Sequence, residues 1–116
     1  MTDLVIPDTL PGRPDRPLSI GGLTSDAADI LRDATDLPRP TSVSIYEFSQ
    51  HISFQFEPEP DSYAALAMWA ELFGATITSR PWTDHTGKPV NVCRVNFEYR
   101  GIATEAFALI PAGTAT

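Results

Sequence analysis

Arg80-Pro81-Trp82-Thr83-Asp84-His85 gathers a guanidinium, an indole, a carboxylate and an imidazole in one short stretch. A carboxylate that orients an imidazole supports acid–base work, and a loop between rigid strands is a usual place for it. Neighbouring residues of an extended chain point apart, however, and no serine or cysteine nucleophile stands at a diagnostic spacing. The plainer expectation is a turn in which Asp84 bonds its own backbone and Gly87 supplies a positive φ. Arg80, Trp82, Asp84 and His85 are the loop and pocket candidates, with Tyr46 and His51 to be inspected beside them. No residue is assigned a catalytic role.

His51, His85 and Cys93, with Glu57, Glu59 and Asp61, are the residue types that hold metals. Zinc ligands come as closely spaced pairs, and here the histidines lie far apart with the cysteine alone in a strand-like run. Neither metal nor cofactor is expected. Cys93 reads as a small buried hydrophobe. Trp82, Phe97 and Tyr99 beside Arg80, Arg94 and Arg100 resemble a base-stacking surface. The formal charge of −7 opposes nucleic acid and anionic membranes alike. The expectation is therefore no direct nucleic-acid or membrane partner.

That charge is uneven. No lysine or arginine stands between Arg39 and Arg80, an interval holding Glu47, Glu57, Glu59, Asp61 and Glu71. These five are candidates for an acidic surface. One reading they allow is a nucleic-acid mimic that inhibits a nucleic-acid-binding protein.

The elements that must position these residues are organised around Asp61–Gly74, D-S-Y-A-A-L-A-M-W-A-E-L-F-G, the strongest helix signal. Asp61 or Ser62 suits the N-cap and Gly74 a left-handed end. Tyr63, Leu66, Ala67, Ala70 and Phe73 share one face. Ala65, Met68, Trp69 and Leu72 lie opposite, which makes the helix apolar nearly all round and calls for cover on more than one side. Met68, Trp69 and Leu72 are the interface candidates, pointing to a homo-oligomer or to another protein as partner.

Proline and glycine punctuate residues 1–22, read as an extended arm whose Leu4, Val5, Ile6 and Leu10 are able to dock. Leu23–Leu37 reads as an amphipathic helix capped by Thr24 or Ser25. Its apolar stripe is Ala27, Ile30, Leu31 and Ala34, and Pro38 and Pro40 stop it. Thr41–Glu57 changes apolar phase between Ile45 and Tyr46, so two strands near 42–48 and 51–57 with a turn at Ser49–Gln50 are expected. One long bulged strand is the alternative. Ala75–Trp82, Val90–Tyr99 and Ile102–Ile110 read as three further strands. Val90 and Val92 are out of phase with Cys93, Val95 and Phe97, which suggests a bulge. Arg100-Gly101 reads as a two-residue hairpin turn.

The order α-β-β-α-β-β-β predicts an α+β two-layer sandwich: an antiparallel sheet of four or five strands with two helices on one face. It forms one domain over 23–111, followed by a tail over 112–116. With no internal disulfide possible and no signal-peptide pattern, the cytoplasm is the expected compartment. Arginine in preference to lysine, with much alanine and proline, suggests a bacterial coding sequence. The functional expectation is a small acidic protein-binding module, non-enzymatic and self-associating. A ligand-binding or enzymatic pocket between sheet and helix is the alternative alongside the nucleic-acid mimic.

Overall fold

The computed structural model describes residues 17–112, so the docking proposed for Leu4, Val5, Ile6 and Leu10 lies outside the described residues. In chain order the elements are α1 (Ile20–Asp33), β1 (Ser42–Tyr46), β2 (His51–Gln55), α2 (Asp61–Phe73), β3 (Ile77–Thr83), β4 (Pro89–Tyr99) and β5 (Ile102–Pro111). This is the expected α-β-β-α-β-β-β order in an α+β fold. The five strands form one sheet, ordered β1-β2-β5-β4-β3.

The sheet is mixed where an antiparallel one was expected. β2 and β5 run parallel, and the other three pairings are antiparallel. The cause is the crossover through α2. It returns the chain so that β3 points the way β2 does, and two hairpin reversals then give β5 that same direction. Because β5 folds back between β4 and β2, the parallel pair falls at the centre of the sheet. Parallel pairing needs such a crossover, whereas hairpins make only antiparallel neighbours.

α1 begins three residues before the expected start. Ser19 is its N-cap, and its hydroxyl accepts from the Gly22 amide at 3.2 Å. Gly21 and Gly22 are thus helical and do not belong to an extended arm. A side chain at Gly22 would meet Leu18 at 3.3 Å, so glycine suits this first turn. Leu23, Ala27, Ile30 and Ala34 are buried. The β1–β2 turn fixes the segment ahead of the helix: the Gln50 amide accepts from Leu18 N (2.8 Å) and donates to Leu18 O (2.9 Å). Gln50 holds a left-handed φ of 54° there, which replaces the missing turn glycine.

α2 starts without a side-chain cap. The Ser62 hydroxyl donates back to Glu57 O at 2.6 Å and does not receive a first-turn amide. Its end is the expected one: Gly74 takes φ 67°, and Ala75 N returns to Ala70 O at 2.8 Å. The buried stripe is Ser62, Ala65, Leu66, Trp69 and Ala70, rotated from the stripe expected through Tyr63 and Ala67. A helix apolar all round carries little information about which side turns inward. The sheet covers one side of α2, while Tyr63, Met68 and Leu72 stay exposed, so the second covering layer expected for this helix is not found among the described residues.

Both helices pack on one face of the sheet, in a single core with Ile52, Phe54, Cys93, Val95, Ala106, Ala108 and Ile110. α1 lies over β1 and β2, and α2 over β3, β4 and β5. Trp69 sits at the centre against Phe54, Phe56 and Phe73, at ring separations of 5.2, 5.4 and 5.7 Å. Its indole N–H donates to Pro38 O at 2.9 Å. The Arg100-Gly101 turn has positive φ at both residues (53° and 81°), the conformation a two-residue hairpin requires. Arg100 then reaches Asp26 and Asp29 of α1, at 3.2 and 2.9 Å. No helix among the described residues is long and apolar enough to cross a membrane.

Candidate functional site: the uncovered face of the sheet

The apolar phase change in β4 is not a bulge. β4 pairs with β5 without a slip from Val90↔Pro111 to Tyr99↔Ile102. Alternate residues of a strand face opposite sides, so Val90 and Val92 face away from the helices that cover Cys93 and Val95. Accordingly Val90 is 6% exposed but takes no part in the helix-side core. Across the strands Val90 lies between Trp82 and Pro111, Val92 between Arg80 and Leu109, and Arg94 between Thr78 and Phe107. Val92, Phe107 and Leu109 are half-buried, and Trp82 is 59% exposed. The face that no described element covers is thus apolar towards the β3–β4 loop.

Towards the β4–β5 turn the same face becomes polar around Glu105. Ser53 is buried and its hydroxyl donates to Glu105 Oε2 at 2.9 Å. Arg94 Nε stands 3.2 Å from Oε1, and His51 Nε2 stands 3.9 Å from Oε2. Both nitrogens are buried and neither makes a hydrogen bond. Charge attraction therefore holds the Arg94 guanidinium to the Glu105 carboxylate where bond geometry does not. Tyr46 meets the His51 ring edge-on at 5.6 Å. A shallow hollow of about 310 Å³ opens beside it, lined in part by His51, Asn96 and Glu98. The order of groups matters chemically. In a nucleophilic relay the imidazole takes the serine proton. Here the carboxylate lies between Ser53 and His51 and accepts the hydroxyl's hydrogen bond itself, so the imidazole does not face the serine. The arrangement suits positioning of a bound group better than activation of a nucleophile.

No family model, curated protein or solved structure matches this chain.

The loop and pocket candidates divide. Arg80 and Trp82 lie on the uncovered face at edge strand β3, and Tyr46 and His51 lie on the same face at its far side. Asp84 and His85 stand apart in the β3–β4 loop. Asp84 Oδ1 accepts from Thr86 N (2.8 Å), Thr86 Oγ1 (2.6 Å) and Lys88 N (2.9 Å), and Gly87 takes φ 86°. The Thr86 hydroxyl, and then the Lys88 amide, hold the Asp84 carboxyl below the usual range. This is turn chemistry, and Asp84 is not placed to orient His85.

The interface candidates divide as well. Met68 and Leu72 are about half exposed on α2, whereas Trp69 is fully buried in the core and does not line a surface with them. Among the acidic residues, Glu57, Glu59 and Asp61 border one hollow together with Arg39 and Met68. Glu47 lies beyond the opposite end of β2, and Glu71 lies on the outer side of α2. The five do not form one row. Among the described residues, no group of three or more His, Cys, Asp or Glu is placed to hold a metal ion. Cys93 is buried against Ser79.

Sequence reading missed Ser53, Arg94 and Glu105 as a group, and Val92, Phe107 and Leu109 as a surface. The signal for the second set was present in the β4 phase change. Nothing local pointed to the first, because parallel pairing of β2 with β5 is what brings Ser53 to Glu105.

Proposed function

We propose that this chain is a non-enzymatic protein-binding module that self-associates, and that the uncovered sheet face is where it meets a partner protein. One observation supports this above the others: Trp82 stands exposed beside half-buried Val92, Phe107 and Leu109 on a face that water would otherwise wet. A sheet with one solvated face ordinarily alternates to polar residues on that side. An apolar patch with aromatic and arginine neighbours is the usual composition of an interface centre. Arg80 and Arg94 adjoin this patch, and the surplus negative charge of the chain lies elsewhere.

Site-specific photo-cross-linking in the producing cells tests the reading. A photoreactive residue at Leu109 is expected to capture a protein adduct, and the same residue at Met68 on α2 none. Adducts from position 68 alone, or from neither position, would move the interface away from this face.

The Glu105 cluster favours a second reading, a small polar ligand seated beside His51. Its support is the buried His51 Nε2, which has no hydrogen-bond partner and belongs to a residue lining an open hollow. Amide and imidazole shifts of Ser53 and His51, followed by NMR against panels of small amines and carboxylates, test it. Shifts that never move would remove it.

A further inference from the structure

The two edges of the sheet are built differently. β3 carries Pro81, which withholds an N–H, and the charged Arg80. Both features discourage a further strand from adding there. β1, at the other edge, reads Ser42-Val43-Ser44-Ile45-Tyr46 with no proline and no charge, and four of its five residues are exposed. Among the described residues no strand pairs with this outer edge, and an edge of this kind is a template for another strand. Of the eight large apolar side chains exposed among the described residues, Val43, Tyr46 and Phe48 belong to β1 and its turn. Ile20 stands close by, two residues after the Leu18 held by Gln50. Phe48 projects wholly into solvent at the hairpin tip, with 104% exposure.

We propose that β1 pairs with β1 of a second copy, antiparallel about a two-fold axis at Ser44, joining the two sheets into one. The pattern of the strand is complementary to itself. Such pairing sets Val43 opposite Ile45 of the second copy on the helix side, and Tyr46 opposite Ser42 on the uncovered side. Val43, 39% exposed, gains an apolar neighbour. Glu47 comes beside Thr41, with the oppositely charged Arg39 two residues further along the same side. Arg39 is exposed and makes one long bond, 3.4 Å to Leu31 O, so its charge is available. Between these charges β1 is neutral, and a chain of net charge −7 meets no like charge at the axis. Self-complementarity and this charge match select a second copy over an unrelated peptide.

The inference rests on the self-association proposed above and places it at an edge, apart from the uncovered face. Light scattering on the full chain across micromolar concentrations tests it, with circular dichroism to confirm folding. The wild type is expected to dimerise. Ser44→Lys sets two lysines together at the axis, and is expected to weaken the dimer by roughly tenfold or more. Arg39→Glu alone is expected to weaken it roughly two- to thirty-fold through its two symmetric charge pairs, and Arg39→Glu with Glu47→Arg to restore it. A wild type that stays monomeric would overturn the self-association and the edge together. A dimer that ignores Ser44→Lys and the charge swap, yet dissociates with Val92→Lys, would overturn the edge alone. If Ser44→Lys does not fold, the charge swap decides, and failure of the double variant to restore the dimer overturns the pairing.

Discussion

Trp69 concentrates the energetics of the core. Its ring touches three phenylalanines and its N–H is bonded to Pro38 O, so truncation removes both packing and a tie between α2 and the α1–β1 loop. Trp69→Ala is expected to lower stability by about 3–5 kcal/mol in urea unfolding, with Trp69→Phe costing clearly less. Asp84 acts at the same scale through charge. Its folded carboxyl is held below the ordinary value of 3.8, first by the Thr86 hydroxyl. A depressed carboxyl stabilises the fold above the unfolded value, and this contribution is lost as pH falls through the folded one. The stability gap between wild type and Asp84→Asn is therefore expected to be present at pH 7 and to close below about pH 3.8. Asp29 is depressed in the same direction, first by its bond to Arg32, and adds to the same acid sensitivity.

At the scale of elements, α1 is fastened by polar contacts at both ends. Gln50 grips Leu18 ahead of it, and Arg100 and Tyr99 reach Asp26, Asp29 and Asp33 along it. Burial of the Tyr99 phenol raises its pKa, so it stays a neutral donor to Asp33 across the physiological range. Gln50→Ala removes the bonds to Leu18 and to Glu47 O. It is expected to cost about 1–3 kcal/mol and to speed hydrogen exchange at the first amides of α1. Gln50→Gly, although relieved of its positive φ, is expected to show the same fast exchange, because the anchor is the side chain. That anchor was not legible in sequence. The phase change points to a turn at Ser49–Gln50, and the turn in the structure is longer, over residues 47–50, but a contact across 32 residues leaves no local trace.

Across the whole molecule, adjacent residues of β5 belong to different surfaces. Ile110 is fully buried in the helix-side core, and Leu109 is half-buried on the uncovered face. Ile110→Ala is expected to cost about 2–5 kcal/mol in thermal or urea unfolding, and Leu109→Ala about 1 kcal/mol or less. Comparable losses at both positions would mean that something covers the second face within a single copy. This contrast separates residues that hold the fold from those available to a partner.

The element order, the hairpin turns and the Gly74 stop are legible in the amino-acid sequence. Each of these follows from local rules: alternation in strands, a glycine where φ must be positive, prolines that end helices. The sequence also carried the two-sided apolar pattern of β4, which became interpretable once an unbroken register excluded a bulge. Tertiary structure decided which side of α2 turned inward, because a helix apolar all round gives no preference and the Trp69 indole settled it by fitting over Phe54 and Phe56. It decided as well that β5 would lie beside β2, and so that Ser53, Glu105, Arg94 and His51 would meet. A long-range pairing has no short-range signal, because the residues it joins lie 52 positions apart in the chain.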